Sequence, residues 1–306
     1  MSTPTIGGVC PILAVPFTKD GEVDLASFEA LCDHVFSTGI RAATLFGLVS
    51  EFYKLTDAER EALTQVMLER AAAHPVVPVV SITEHAVESA VARATQLESA
   101  GVGGLNVLPP HFLAPGRAAV VAHLDAILAA VDVPVIAQYA PAQTGSAIGT
   151  DVWLELADRH QNLRYVKVEA HPPGPYLAAL REASDGRIGG LVGYAGVQLP
   201  DALRRGASGV QPGCSFTELY LDLWARWERG EEDSAAELHR QLLPFITYWM
   251  EDIELIIAAE KRILAERGIV ASAYCRQPRY ELDRDELTMI DRFLAMFGGQ
   301  LESPTA

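Results

Sequence analysis

Lysine is the scarcest charged residue in this sequence. The 306 residues include only four lysines, Lys19, Lys54, Lys167 and Lys261, and 40 acidic residues outnumber 24 basic ones. The resulting net charge of −16 argues against nucleic acid and anionic membrane surfaces as partners, because both repel an acidic protein. Small acidic metabolites remain open as ligands, because a local site can bind them whatever the net charge.

Cysteine is equally rare, and long apolar runs are absent. Four scattered cysteines without a Cys-x-x-Cys pair predict a reduced protein without a zinc site. The histidines stand singly, without carboxylates at ligand spacing, so no metal is predicted. No apolar run reaches the roughly 18 residues of a membrane span. The first residues lack the basic and apolar regions of a signal peptide, and we therefore expect a cytoplasmic protein.

Short apolar runs alternate with helical patterns about eight times along the chain. Eight β-then-α units without a break in composition predict an α/β protein with a closed parallel barrel, the TIM (β/α)8 fold. The alternative is an open doubly wound sheet, but no Gly-x-Gly-x-x-Gly follows the first strand. The predicted strands are residues 9–15, 42–46, 76–82, 104–108, 133–139, 163–168, 187–192 and 209–211.

Capping signals and a final helical region complete the predicted organisation. Asp24 is an expected helix N-cap, and Thr56 with Glu59 forms a capping box. After Gly230 the pattern is purely helical, over residues 234–250, 254–268 and 284–297. We therefore predict a barrel over residues 1–229 and a C-terminal helical extension over residues 230–306. The extension is expected to pack on the barrel or at a subunit interface.

Lys167 stands in the middle of the predicted sixth strand, among apolar neighbours. Lysine is seldom buried without a partner, because its charge is costly to desolvate. A desolvated lysine loses its proton more easily and can form a Schiff base with a carbonyl. The alternative is a structural ion pair, with Glu169 or with a carboxylate on a neighbouring strand. Position alone does not separate these two interpretations.

Other polar residues fall at the carboxyl ends of predicted strands, where barrels of this type carry their active sites. Tyr139 ends the fifth strand, and a phenol beside a lysine can relay protons during imine chemistry. Its alternative role is that of a wall residue. Residues 47–50 follow the second strand and could offer backbone N–H groups to a carboxylate. For Ser50 and Glu51 the alternative is a turn and a hydrogen bond that anchors the loop.

Several short motifs follow one another along the chain. They are Gly47-x-x-x-Glu51, Leu55-Thr56-x-x-Glu59, Pro109-Pro110, Tyr139-x-Pro141, Val166-Lys167-x-Glu169, Gly193 with Pro200, Gly206-Ala-Ser-Gly209 and Ala259-Glu-Lys-Arg-Ile-Leu264. Taken in order, these motifs resemble the dihydrodipicolinate synthase / N-acetylneuraminate lyase family, over residues 8–297. The resemblance implies a TIM barrel, usually a homotetramer built as a dimer of dimers. It also implies a Schiff base between Lys167 and pyruvate or another 2-keto acid, without a further cofactor, and Tyr139 as the proton-shuttling phenol.

Departures from the family pattern indicate which member this is not. Leu48 and Val49 stand where the synthases carry two threonines, and Ser50 replaces a glycine. His111 and Phe112 stand where a second tyrosine is expected. Gln143 is near the position of an arginine that binds the aldehyde substrate in the synthases. These losses argue against lysine biosynthesis. A plain sialic acid lyase would also be expected to keep the hydroxyl-rich turn.

Three motifs remain, the Val49-Ser50-Glu51 turn, Gln138-x-Ala140-Pro141-Ala142 and Lys167-x-Glu169. They are more similar to the branch of 2-keto-3-deoxy sugar acid dehydratases. That resemblance implies an imine between Lys167 and the substrate's keto group, loss of the C3 proton and elimination of the C4 hydroxyl. A pyruvate-dependent aldolase or lyase is the alternative, and a non-catalytic keto-acid binder is a further one. The predicted catalytic residues are Lys167, Tyr139 and Ser50. The predicted substrate-binding residues are Gly47, Val49, Glu51, Phe112, Gln143, Glu169, Gly193 and Gln211.

Overall fold

Strands and helices alternate through residues 6–301, which the computed structural model describes. The strands are β1 Gly8–Val9, β2 Ala42–Leu45, β3 Val77–Ile82, β4 Gly104–Val107, β5 Val135–Tyr139, β6 Leu163–Val168, β7 Gly189–Val192 and β8 Gly209–Val210. The helices are α1 Leu25–Ser37, α2 Asp57–Ala71, α3 Val87–Ala100, α4 Arg117–Ala130, α5 Pro141–Thr144, α6 Thr150–Arg159, α7 Pro173–Ala183, α8 Leu199–Arg204, α9 Thr217–Glu228, α10 Glu232–Trp249, α11 Ile253–Glu266 and α12 Arg284–Leu301.

The sheet has the strand order of a barrel. The order is β1-β8-β7-β6-β5-β4-β3-β2, so neighbours in the sheet are consecutive in the chain and β1 lies beside β8. The pairs from β3 to β8 are all parallel. An open doubly wound sheet reverses its order at a switch point, and the described strands contain no reversal. The predicted (β/α)8 barrel followed by C-terminal helices is confirmed.

The first strand is shorter than predicted. The apolar run predicts a strand over residues 9–15, but regular pairing is limited to Gly8–Val9. Beyond it, Ile12 makes isolated parallel bridges to Thr44 and Gly213. Pro11 has no N–H to donate to a ladder, which accounts for the interruption.

Both predicted helix caps are present. The Asp24 side chain accepts a hydrogen bond from the Ser27 N–H at the start of α1. At the start of α2, Thr56 and Glu59 form the reciprocal capping box. These caps fix the N-termini of the helices that follow the first two strands, because they satisfy N–H groups left without intrahelical partners.

Internal contacts group the chain into two compact units. The first unit combines the described part of Met1–Gly8 with Val77–Gln211, and it contains β3 to β8. The second combines Val9–Val76 with the described part of Pro212–Ala306, and it contains β2 and the C-terminal helices. The predicted domain boundary at residue 229 stays a prediction. Within residues 6–301, no helix has both the length and the apolar character that a membrane span needs.

Candidate active site

Lys167 and the residue that follows β6, Glu169, form a buried ion pair. Side chains two residues apart in an extended segment point the same way, and Lys167 Nζ lies 3.2 Å from Glu169 Oε1. Only 5% of Lys167 and 8% of Glu169 is exposed. Buried charges require a partner, and here each supplies the other. The expected burial of Lys167 is observed, together with the ion pair named as its alternative role.

Gln138 on β5 holds the other oxygen of Glu169. Gln138 lies opposite Lys167 in the parallel register of β5 and β6. Its Nε2 donates a 2.6 Å hydrogen bond to Glu169 Oε2. The carboxylate is therefore fixed with one oxygen toward an amide donor and the other toward the ammonium group of Lys167.

The contacts continue across two further strands as a polar row, which we define as Ser81, Asn106, Gln138 and Glu169. Asn106 Nδ2 donates to Gln138 Oε1 at 3.3 Å and to Ser81 Oγ at 3.2 Å. All four side chains are buried. No role for Ser81, Asn106 or Gln138 is predicted from the sequence. The available signal was a polar residue inside each of three otherwise apolar strands.

Tyr139 lies on the other face of β5 from this group, and its role as the proton-shuttling phenol stays a prediction. Neighbouring residues of a strand point to opposite faces, and Gln138 occupies the face of Lys167. The Tyr139 ring instead stacks on Tyr176 of α7, with ring centroids 4.3 Å apart, and meets Trp153 of α6 edge-on. The phenol therefore packs against the helices, although its strand is the neighbour of β6.

Gly193, after β7, makes room for Glu169. A Cβ at this position would overlap the Glu169 side chain, so the glycine is required by close packing. The next two residues, Tyr194 and Ala195, have left-handed backbones with φ of 50° and 48°. Such conformations cost a non-glycine residue on the order of 1 kcal/mol and cluster at functional sites. The segment after β7 is thus shaped around the Glu169 carboxylate.

Polar groups line the loops after β5, β6 and β7. Gln143 Nε2 donates to the hydroxyl of Tyr194, whose ring packs against His171 with centroids 4.2 Å apart. Burial raises the pKa of Tyr194, so its hydroxyl stays neutral and can both donate and accept. The predicted substrate-binding residue Gln143 therefore belongs to a neutral hydrogen-bonding surface.

The two other predicted residues of the first unit differ in exposure. Gln211 is buried after β8, and its N–H donates to Val192 O at 3.0 Å. Phe112 is 74% exposed in the loop after β4, where its ring approaches His85 with centroids 6.4 Å apart. A contact between Phe112 and substrate stays a prediction.

In the second unit, Ser50 lies in the turn after β2. Its side chain is fully buried. Its hydroxyl donates to Leu13 O at 2.5 Å and accepts from the Phe46 N–H at 3.1 Å. Both functions of the hydroxyl are thus used within the loop, which argues against the predicted catalytic role and favours the turn-forming alternative.

Glu51 anchors the same loop. It has a left-handed backbone, with φ 51°, and its side chain is fully buried. One oxygen pairs with Lys261 of α11, and the other accepts from Lys54 Nζ at 3.0 Å and from the Arg276 N–H at 3.1 Å. Both carboxylate oxygens are thus occupied by protein donors, so the structure favours the loop-anchoring alternative over substrate binding.

Gly47 and Val49 complete this turn. A Cβ at position 47 would lie 2.7 Å from Ile12 Cγ2, so close packing requires the glycine. Val49 is buried in the 3-10 turn Leu48–Ser50 that follows. A role of this turn in binding a carboxylate stays a prediction.

The chain matches a family model described as the Dihydrodipicolinate synthetase family over residues 5–296. The chain belongs to this family. A relative, L-2-keto-3-deoxyarabonate dehydratase of Azospirillum brasilense, is 29% identical over 301 residues, which cover 96% of each protein. The 4-hydroxy-tetrahydrodipicolinate synthase of Acidothermus cellulolyticus is also 29% identical, over 82% of this chain and 80% of that protein. Among solved structures, dihydrodipicolinate synthase from Rhodopseudomonas palustris matches with a TM-score of 0.88 and 25% identity, covering 96% of this chain and 98% of its own.

As a member of the dihydrodipicolinate synthetase family, the protein is a lyase. Its two relatives carry different activities in their names, yet both are 29% identical to this chain. Overall sequence identity therefore does not distinguish between the two reactions. The side chains around Lys167 are the features that can distinguish them.

Metal-ligating side chains are not clustered in the described part of the chain. Within residues 6–301, no group of three or more His, Cys, Asp and Glu side chains is placed to hold a metal ion. The four cysteines are buried and are not in disulfides. Burial raises the pKa of the Cys32 and Cys214 thiols, which disfavours the thiolate that metal binding and nucleophilic attack require.

Proposed function

We propose that this protein is a Schiff-base lyase that dehydrates a 2-keto-3-deoxy sugar acid, using an imine on Lys167. The observation that carries the proposal is the 3.2 Å pair of Lys167 Nζ and Glu169 Oε1. An amine that attacks a ketone must first lose a proton, and a carboxylate in contact with it is a suitable base. The chemistry needs no cofactor, because the iminium nitrogen itself accepts the electrons.

During imine formation, Glu169 first accepts a proton from Lys167 and later donates it to the bound substrate. Glu169 takes a proton from the Lys167 ammonium group, and the free amine adds to the C2 carbonyl of the substrate. A proton moves from the nitrogen to the former carbonyl oxygen, which gives a neutral carbinolamine. Glu169 then returns its proton to the carbinolamine hydroxyl, which leaves as water. The products are the iminium on Lys167 and an ionised Glu169.

Elimination uses the same carboxylate. C3 is two bonds from the iminium nitrogen, so Glu169, held beside that nitrogen, is the base for a C3 proton. The C3–H electrons form the C2=C3 bond of an enamine. As these electrons shift to form a C3=C4 bond, the C4–O bond breaks, and Glu169 gives its proton to the leaving hydroxyl. After tautomerisation, hydrolysis of the imine consumes the first water, so the net loss is one water.

The charge of the site supports a sugar acid with an uncharged tail. Glu169 is a buried carboxylate, and a second substrate carboxylate beside it would be repelled. Gln143 and Tyr194 offer neutral donors and acceptors, as substrate hydroxyl groups require. The relative named L-2-keto-3-deoxyarabonate dehydratase supports the same class.

Aldol cleavage is the second candidate, because it starts from the same imine. It requires a base that removes the C4 hydroxyl proton, after which the C3–C4 bond breaks. The ionised Glu169 that remains after imine formation is able to accept either this proton or a C3 proton. The similarity to the relative named L-2-keto-3-deoxyarabonate dehydratase favours dehydration.

The imine is tested by incubating the protein with pyruvate and borohydride, followed by intact-protein mass spectrometry. We expect a pyruvyl adduct on the wild type and none on Lys167→Ala. If the wild type forms no adduct with pyruvate or with longer 2-keto acids, the lyase mechanism is wrong and the keto-acid binder remains.

The bond that breaks is tested by product analysis on 2-keto-3-deoxy pentonates and hexonates. Dehydration gives a product that is lighter than the substrate by one water and releases no pyruvate. Release of pyruvate with an aldehyde would assign the aldolase reaction instead. Both measurements use the same wild-type protein, with Lys167→Ala as the matched inactive control.

Assembly and location are further proposals. The family resemblance supports a homotetramer, and the composition supports a cytoplasmic protein that binds a small-molecule 2-keto acid. Light scattering of the purified chain measures the subunit number directly, and a monomeric mass would contradict the tetramer.

A further inference from the structure

The polar row runs across β3, β4 and β5 and ends after β6, at the Glu169 carboxylate that faces Lys167. Asn106 Nδ2 donates to both Ser81 Oγ and Gln138 Oε1, at 3.2 and 3.3 Å. Gln138 Nε2 then donates to Glu169 Oε2 at 2.6 Å. The geometry points to Asn106 and Gln138 as positioning residues, which orient Glu169 for proton transfer at Lys167. The inference rests on the proposed function, because it assigns a purpose to the Glu169 orientation.

The direction of the row follows from donors and acceptors. A glutamine amide has one acceptor side and one donor side. Asn106 presents a donor to Gln138, so the Gln138 oxygen must face Asn106. Its NH2 group is thereby turned to Glu169, where it stabilises a carboxylate. With the opposite amide orientation, the Gln138 oxygen would face a carboxylate oxygen, and two acceptors repel.

Lys167, Tyr194 and Gly193 are further neighbours of Glu169. The charged neighbour of Glu169 is Lys167. Tyr194 faces Glu169 from the loop after β7, and the Glu169 charge contributes to the raised pKa of Tyr194. Gly193 packs directly on its side chain. Hydrogen bonds to buried charged groups are stronger than neutral ones, so the Gln138 amide is the contact that sets which oxygen faces Lys167.

The test replaces Asn106 with the isosteric aspartate. An ionised carboxylate has no hydrogen to donate, so the variant Asn106→Asp forces the Gln138 amide either to turn or to face an acceptor. In either case the donor to Glu169 is lost or weakened. We expect kcat on the sugar acid to fall about 10- to 100-fold, by analogy with the loss of hydrogen bonds that orient metal ligands. KM should change much less, because the imine-forming lysine is intact.

Two further variants separate positioning from folding and from added charge. Asn162→Asp makes the same substitution in a residue whose Nδ2 donates to Leu128 O and Val131 O, outside the polar row. It should leave kcat per folded molecule unchanged. Asn106→Leu removes the donor without adding charge and should lower kcat in the same direction.

The pH profile gives a readout that general destabilisation does not move. Asn106→Leu no longer fixes the orientation of the Gln138 amide, so the ionised Glu169 is less stabilised and the acidic limb of the kcat profile should shift to higher pH. If Asn106→Asp and Asn106→Leu match Asn162→Asp in kcat and in pH profile, the positioning role is wrong.

Failure of the proposed function is recognised separately. If the wild type forms no borohydride adduct, the polar row is tested by a double-mutant cycle. The free energy of unfolding is measured for the wild type, Asn106→Leu, Gln138→Leu and the double variant. A double variant that loses less stability than the sum of the single losses supports the coupling within the row. Additive losses overturn it, whatever the protein's reaction.

Discussion

Gln138 and Glu169 are joined across β5 and β6 by a 2.6 Å hydrogen bond, and Lys167 lies 3.2 Å from the other oxygen of the same carboxylate. The carboxylate thus has a neutral donor on one side and a charged donor on the other. In the proposed mechanism this carboxylate is the base and the acid beside the buried amine. In a low-dielectric interior such preorganised contacts act more strongly than in water.

Glu169→Gln should slow both imine formation and elimination. A glutamine keeps the size of the side chain but cannot take or return a proton. We expect kcat for dehydration to fall about 10²- to 10⁴-fold, the usual contribution of a general acid–base. In the borohydride experiment the pyruvyl adduct at Lys167 should form more slowly than in the wild type, because Glu169 also transfers the protons of imine formation. Glu155→Gln on α6, which changes an exposed carboxylate, is the matched control, and equal rates for both variants would contradict the assignment.

Tyr139→Phe should keep most of the activity. The Tyr139 ring packs between Tyr176 and Trp153 on the helix side of β5, and a phenylalanine preserves that packing. Steady-state kinetics on the sugar acid and adduct formation with pyruvate measure the effect. A loss of kcat of about 100-fold or more, the size expected for a general acid–base, would support the proton-relay role of Tyr139 and contradict this prediction.

Ser50→Ala should lower stability and leave the chemistry intact. The substitution leaves the buried Leu13 carbonyl and Phe46 N–H without their hydroxyl partner. Unfolding in urea should show a loss of about 1–3 kcal/mol, with kcat per folded molecule unchanged. Ser37→Ala removes an exposed hydroxyl that bonds His34 O and should cost less than about 0.5 kcal/mol. A large kcat loss with normal stability would support the catalytic role instead.

Glu260→Gln should remove a pH dependence of stability. Glu260 on α11 is buried and accepts the Ser215 N–H at 2.9 Å. Burial raises its pKa from 4.5 to about 7, so between these values the folded protein keeps a proton that the unfolded chain releases. The free energy of unfolding should therefore fall as pH rises through this window, by up to about 3 kcal/mol from this group.

The measurement is urea unfolding of the wild type and Glu260→Gln at several pH values. Other titrating groups are shared, so they cancel in the difference between the two proteins. We expect the wild type's relative stability to be highest below pH 4.5 and to decline toward pH 7 and above. A difference that is flat across this range would contradict the raised pKa.

Local sequence patterns were sufficient to predict the elements of this protein and the burial of its key lysine. In the eight alternating units, the Asp24 cap and the Thr56 capping box, each residue's neighbours in the chain carry the information. Lys167 was recognisable because a charge inside a short apolar strand is costly wherever that strand lies in the barrel.

The surroundings of Lys167, by contrast, depend on how the strands are paired and packed. A shift of one residue turns a strand side chain to the other face, and that difference places Gln138 rather than Tyr139 beside Lys167. The polar row joins residues 25 to 32 positions apart in the chain, and Ser50 bonds Leu13 from a distant segment. These partners are set by strand register and packing, whereas the sequence pattern records only which residues are polar and where each strand begins and ends.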